Sequence, residues 1–574
     1  VNSQRTEWEL IGGRPEPPGT VLSVSSPQTS PISVTRPTTP ISVRAGLRGL
    51  PGVLAGAAAR TPEITIGALG VIISAAFSWV PSLWYDEGAT VTSARRTWPQ
   101  LWAELHNVDA VHGFYYALMH CWFWLVGYSP FSLRFPSALA IGVAAALVVA
   151  LGRRLGGRRL GIVAGIVYVL LPRVNWAGTE GRPYATITAF SACLTLVGLT
   201  AVRRSRTSSR ARTTAWWAAY AVVAALAVTF NIYLSLVVIA HGVALVWTMV
   251  AERRAARRDA VTVRSGTPAA PLVSRRLVVA WILAAAAAAV AVSPFVLEVI
   301  RQSKQVGWIG PIRWATLQQV FATAWFGSSP VFATVAWVLM AAGVTLALLR
   351  LRRTTRTGDL VRAQAVRVVL PLVVVPTGLL LTATALGEHL YSPKYASLSL
   401  PFVAILMALA LTAIRPRAPF VLALALVVAV AIAPAVAVKL PHAKQNTYWP
   451  QAAAIVQHQR ALHPAADEGV IYGSVVKHPS TTAQIIADAY PTAFEGMTDL
   501  AAVTNGAERG RLWDTNGDIA TTVPARLGDI DTVWFVGGTT RNIEPQVTTT
   551  LGANGFHVAG YWKAGSVIIT EYTR

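Results

Sequence analysis

Residues 397–438 read SLSLPFVAILMALALTAIRPRAPFVLALALVVAVAIAPAVAV. Two apolar runs, 397–414 and 419–438, flank the basic pair Arg415 and Arg417. Each run approaches the ~20 residues that an α-helix needs to cross bilayer hydrocarbon. Two such runs joined by a short basic turn read as two membrane spans, with the arginines on the cytoplasmic side. Working outward, similar runs lie at roughly 63–84, 135–152, 160–173, 184–202, 214–230, 232–250, 277–297, 331–349 and 367–386. Further basic groups fall between them at Arg153/Arg154/Arg158/Arg159, Arg203/Arg204/Arg206, Arg253/Arg254/Arg257/Arg258 and Arg350/Arg352/Arg353.

The composition agrees. Of 574 residues, 53% are hydrophobic and 13% charged, whereas a soluble domain carries about 25% charge. Mean hydropathy is +0.48. The net charge of +23 does not indicate nucleic-acid binding, because the arginines sit in short turns between spans, where they set orientation. The two cysteines, Cys121 and Cys193, lie in apolar surroundings, so neither a disulfide framework nor a thiolate metal site is expected.

Residues 113–128 (GFYYALMHCWFWLVGY) also look like a span. Counting them as one would turn Arg153–Arg159 to the exterior, so 98–107 and 113–128 are placed as helices lying along the outer face. The expectation is an α-helical polytopic protein of eleven spans, N-terminus cytoplasmic and C-terminus outside. Residues 1–60, rich in Pro, Ser, Thr and Arg, are expected to be a disordered tail with no removable signal peptide. Residues 61–440 form the membrane domain, with exterior loops 85–134 and 298–330. Residues 441–574 alternate β-rich runs (470–472, 532–536, 566–570) with amphipathic stretches (450–459, 481–489, 544–551), which predicts an exterior α/β domain.

Candidate chemistry gathers on the exterior side. Asp86 and Glu87 follow the first span, and carboxylates at a membrane surface are costly unless solvated, paired or used. On position alone they also fit a solvated pair ending a helix. Used, one of them suits a general base that takes a proton from an attacking hydroxyl. Arg182, in TEGRPY (179–184), opposes the positive-inside bias, as does Arg134, and an exterior arginine of that kind suits an anion. Glu180 pairs with Arg182 or lines the cavity with Tyr184. Lys394, in HLYSPKY (389–395), is a point charge for a phosphate, flanked by His389, Tyr391 and Tyr395. Asp109 and His112 precede the second surface helix and could orient substrate. Cations for a leaving phosphate and a carboxylate for an acceptor hydroxyl fit a lipid-linked sugar donor; no Gly-rich nucleotide loop is present.

The order of these elements, with SPFSLRFPSALA, EGRPYA and YSPKYASLSLP, resembles the GT-C superfamily of integral membrane glycosyltransferases. The likeness is to the branch of protein O-mannosyltransferases and lipid A aminoarabinose transferases, over residues 63–440. It implies a polyprenyl- or dolichyl-phosphate sugar donor, action on the non-cytoplasmic side, and in most members no metal, though a divalent ion stays open. Asp86 matches the family's acidic base position, Glu87 its neighbour, Arg134 the arginine opening the second span, and Arg182 with Tyr184 the R-x-Y turn. Lys394 stands where many members have arginine, and His112-Gly113-Phe114-Tyr115 replaces a common His-Pro-Pro-Leu. An Ala/Val/Arg-rich composition suits a high-GC actinobacterium. There, similar enzymes are polyprenyl-phosphate-mannose-dependent mannosyltransferases acting on lipomannan and lipoarabinomannan; arabinofuranosyl and protein acceptor chemistries are the alternatives. The implied partners are membrane lipids, the lipid-linked donor and a glycan or glycolipid acceptor at the plasma membrane. A transporter or flippase would want ionisable residues inside spans, where His241 is the main instance. A scaffold presenting the C-terminal domain would leave the exterior charges unused.

Overall fold

The computed structural model describes residues 50–261, 274–353, 357–465, 467–476 and 481–574. The expected disordered tail, residues 1–60, falls outside these apart from the start of the first helix, Leu50–Ala75. The chain divides into two units, Val1–Ala58 and Ala59–Arg574, and the second holds the membrane-length helices and the α/β domain.

Each predicted apolar run is helical. Among the described residues nine helices are long and apolar enough to cross a membrane. A tenth span is broken: Arg158–Leu170 and Pro172–Gly178 meet at 65°. Pro172 has no N–H to continue the helix and forces the preceding residue out of the α region; Leu171 is accordingly extended, at φ −61°, ψ 125°. The first run is shorter than expected. Its apolar helix covers Thr61–Ala75, and the chain then turns through Phe77 at φ 56°. Eleven expected spans therefore become nine straight ones, one bent one and one short helix. The Pro393–Ala413 span is the axis of the bundle, with 94% of its apolar window buried. Arg417–Ala437, the most hydrophobic helix and only 11% buried, faces outward, as lipid contact requires.

The surface helices expected at 98–107 and 113–128 are present as Trp98–Asn107 and Gly113–Val126, preceded by a third, Tyr85–Ala94. Trp98, Trp102 and Trp124 are exposed on them, as interfacial aromatics are.

The C-terminal part is an α/β domain, in which β1 is Glu468–Tyr472, β2 Thr498–Asp499, β3 Ala502–Thr504, β4 Thr515–Asn516, β5 Thr532–Gly538, β6 His557–Ala564 and β7 Val567–Thr573. The main sheet has the order β2-β1-β5-β7-β6, parallel from β2 to β5 and antiparallel beyond; β3 and β4 form a separate pair. Strand β5 is buried throughout. Alternation sends Trp534 and Val536 to one face and Val533 and Phe535 to the other. The Trp534 face packs on helices Trp449–Leu462 and Gln484–Ala489 and shares a core with Leu83 and with Val91, Leu101, Tyr115 and Met119 of the surface helices. Strand β6 was not expected; as a mostly exposed edge strand it carries no apolar face to read.

Candidate active site

The site is organised by the Tyr85–Ala94 helix. Trp84 precedes it in extended conformation, and Asp86 and Glu87 occupy its first turn, where the helix dipole favours negative charge. Gly88 lets this helix lie against the C-terminal domain, since a Cβ there would come within 2.5 Å of the Ile485 side chain. Consecutive helical residues point about 100° apart. Asp86 and Glu87 thus meet different surroundings.

Glu87 points into protein. Arg134 grips it with Nε to Oε1 at 2.7 Å and a terminal nitrogen to Oε2 at 2.6 Å, and neither side chain is exposed. The remaining guanidinium N–H groups reach the carbonyls of Ser78, Pro81 and Ser82 at 2.7–2.9 Å. The Gly181 amide adds a bond to Glu87 at 2.8 Å, and a Cβ at Gly181 would sit 2.5 Å from Leu133. Arg134 has no donor left for a phosphate, and Glu87 no free lone pair facing a substrate. The expectation of catalytic and phosphate-binding roles for this pair gives way to a structural one: it locks the 78–87 turn to the Pro130–Gly156 helix.

Asp86 points the other way and is partly open, with Oδ2 2.8 Å from Lys394 Nζ. Lys394 also lies 5.0 Å from the Trp308 ring centroid and 5.8 Å from that of Trp84, so Trp308 brings the 298–330 segment beside the pair. Burial pushes the Asp86 carboxyl up, but Lys394 and then Arg182 outweigh it and hold it below the usual carboxylate range. It is ionised at neutral pH.

Arg182 is 4% exposed. One terminal nitrogen donates to Tyr116 Oη at 3.0 Å and Thr90 Oγ1 at 3.2 Å, and Tyr116 in turn donates to Asp109 at 2.7 Å. Its Nε has no partner, and among the described residues it forms no ion pair. Unpartnered polar atoms of His112, Tyr115, Arg173 and Tyr391 are buried as well. Such atoms are rare in a finished core, and these four residues lie on the segments that surround Arg182 and Lys394. Burial, then the charges of Arg182 and Lys394, drive His112 well below its ordinary value, so its ring is neutral.

Other expected residues serve the frame. Glu180 is fully buried, paired with Lys444 Nζ and accepting from Trp84 Nε1 at 2.9 Å. Lys444 also bonds the Thr179 carbonyl at 3.0 Å, tying the start of the C-terminal domain to the 179–184 turn. Tyr184 packs on Trp176 and Tyr395 on Tyr233, with centroids 5.1 and 4.2 Å apart. His389 donates to the Ile309 carbonyl. Asp109, at φ 58°, donates its backbone amide to Gln305 Oε1 at 3.2 Å, a second link to the 298–330 segment.

Sequence reasoning missed Lys444 and Arg173. Arg173 is 6% exposed, stacked 3.6 Å over Trp176. Its place directly after Pro172, at the break of a span, is the signal that could have found it. Among the described residues no group of three His, Cys, Asp or Glu is placed to hold a metal. The arrangement offers one ionised carboxylate beside two cations, Lys394 and Arg182, with neutral polar groups around them. That set can take a proton from a hydroxyl while neutralising an anion.

A family model described as dolichyl-phosphate-mannose-protein mannosyltransferase matches residues 112–277. No curated protein matches the chain. Among solved structures, ArnT from Cupriavidus metallidurans bound to undecaprenyl phosphate is similar at a TM-score of 0.51 and 13% identity, over 88% of this chain and 97% of that one. Its apo form gives the same values. The Archaeoglobus fulgidus oligosaccharyltransferase in the apo form has a TM-score of 0.45 at 11% identity, over 83% and 69%. The fold is GT-C-like: a polytopic helical bundle with a C-terminal domain containing a sheet.

Proposed function

We propose that the chain is a glycosyltransferase that moves mannose from a polyprenyl-phosphate donor to a cell-envelope glycan or glycolipid of lipomannan or lipoarabinomannan type, at the outer face of the plasma membrane. Residues 61–440 would form the catalytic domain, and 441–574 an extracytoplasmic domain beside the acceptor path. The observation that carries this reading is the Asp86–Lys394 pair at 2.8 Å with the buried, half-satisfied Arg182 in its field. Further support comes from the undecaprenyl phosphate bound to ArnT and the dolichyl-phosphate-mannose description of the matching family.

In this mechanism the donor phosphate engages Arg182 through its unpartnered Nε and draws Lys394 toward its oxygens. Asp86, relieved of its partner, accepts the proton of the acceptor hydroxyl. The new bond forms between that oxygen and the anomeric carbon as the bond from the anomeric carbon to the phosphate oxygen breaks. Polyprenyl phosphate leaves with its charge held by the two cations, a stabilisation that grows toward the transition state. Neutral His112 and the Tyr115 hydroxyl supply polar contacts for the sugar.

The test is transfer from radiolabelled polyprenyl-phosphate mannose in membranes containing equal amounts of wild type or Asp86→Asn. Loss of a general base costs roughly 10²–10⁴ in rate. Full transfer by Asp86→Asn removes the base assignment. Label moving from an arabinose donor instead of the mannose donor replaces the sugar.

A further inference from the structure

The end of the bundle opposite Asp86 contains a cavity of about 490 Å³. Its rim is set by Arg154, Arg203 and Arg206, and its walls include Leu199, Val202 and Leu245. The Tyr184–Thr207 helix runs from the candidate active site to this rim, and the 19 residues from Tyr184 to Arg203 cover about 28 Å at 1.5 Å each, close to the thickness of bilayer hydrocarbon. The cavity is therefore separate from the Asp86 site and opens at the other membrane boundary.

Its floor is polar but uncharged. The Thr195 hydroxyl donates to the Ser191 carbonyl at 2.8 Å, so at 3.0 Å it accepts from His241 Nε2. That fixes the proton on Nε2 and leaves Nδ1 to accept from Tyr220 Oη at 2.9 Å. Both ring nitrogens are satisfied in the neutral form, which makes His241 part of a closed network and removes it as an intramembrane charge.

The rim is the reverse. Arg154 uses one nitrogen on the Leu199 carbonyl at 3.1 Å, and among the described residues none of the three arginines is paired with a carboxylate. The positive-inside bias accounts for arginines at this boundary. It does not account for a cavity behind them, lined by apolar side chains and within the 300–1,000 Å³ range of small-molecule sites.

We propose that this cavity binds an anionic phosphate amphiphile from the adjoining leaflet, its phosphate on Arg154, Arg203 and Arg206 and the start of its chain between Leu199, Val202 and Leu245. The apolar walls and the opening at the membrane boundary favour a lipid over a free phosphate. Guanidinium groups match phosphate oxygens through paired N–H bonds, and the anion relieves the crowding of three like charges. This assignment does not depend on the glycosyltransferase reading.

The experiment is native mass spectrometry of the full chain in detergent, titrated with dioleoyl phosphatidylglycerol and dioleoyl phosphatidylcholine. Wild type should retain phosphatidylglycerol in preference to phosphatidylcholine, with one site occupied first. Arg203 and Arg206 are exposed, so Arg203→Gln/Arg206→Gln should fold normally and lose about 25-fold in phosphatidylglycerol affinity, near fivefold per arginine. The control Arg210→Gln/Arg212→Gln removes two exposed arginines of the same boundary that do not line the cavity, and should leave affinity unchanged. Equal loss from both pairs would mean diffuse surface charge and overturn the site. So would the absence of any preference for phosphatidylglycerol. Displacement of the lipid by millimolar inorganic phosphate would reassign the cavity to a free phosphate and refute the lipid.

Discussion

Arg134→Met separates a structural arginine from a substrate-binding one. Five N–H bonds of Arg134 hold Glu87 and three carbonyls of the 78–82 turn, and both partners are fully buried. Removing the cation leaves Glu87 with the Gly181 amide and strands the carbonyls of Ser78, Pro81 and Ser82. Breaking a buried ion pair from one side costs about 3–5 kcal/mol, and the stranded carbonyls place the expected loss toward the upper end. That is about three powers of ten in the folding equilibrium. Thermal unfolding of the detergent-solubilised chain, followed by fluorescence-detected gel filtration, should show a large fall in midpoint and poor yield. The double variant Glu87→Leu/Arg134→Met removes both charges and should recover much of the loss, because replacing a whole buried pair by apolar residues is often neutral. If Arg134→Met instead melts like wild type and only raises the KM for the lipid-phosphate donor, Arg134 is a phosphate ligand and the structural assignment is wrong.

Other expectations follow from the same geometry. Lys394→Met removes the largest pull opposing burial at Asp86, so the acid limb of the pH–activity profile should move upward toward neutrality; an unmoved limb would detach Asp86 from that limb. The sign for stability agrees: with its value depressed on folding, Asp86 stabilises above the ordinary carboxylate range and loses this as pH falls through the folded value. Arg182→Lys keeps the charge but loses the planar fork, and should raise the donor KM roughly tenfold or more, the scale of one hydrogen bond to a charged group. Gly88→Val drives a methyl group into Ile485 and should cost about 1–3 kcal/mol by overpacking. Ile485→Ala in the same chain should restore part of the midpoint, and failure of that rescue would argue against the close approach.

The division between what the sequence carries and what the fold adds is clearest at residues 86 and 87. Read along the chain they form one acidic pair after an apolar run. On a helix they diverge by a hundred degrees, and only the packing of that helix decides that Asp86 meets Lys394 while Glu87 meets Arg134. Lys444 shows the same limit. It lies 264 residues from Glu180, and nothing in the composition around either announces the pairing. Arg134 stands apart from the basic turns between spans, but position alone does not say whether such a cation faces a ligand or three carbonyls.

The helices themselves were legible for a physical reason. A span must satisfy its backbone internally and cover itself in apolar side chains whatever its neighbours are, so each is written locally, although the break at Pro172 in the run 160–173 was not read from the sequence. The surface helices at 98–107 and 113–128 were equally readable as helices, because apolar and aromatic patterning is a property of the linear chain. The sequence by itself therefore determined a polytopic helical bundle and an α/β domain at its end. Only the tertiary structure decided which charges are frame and which face a cavity, because that depends on the rotation of each helix and on contacts between segments hundreds of residues apart.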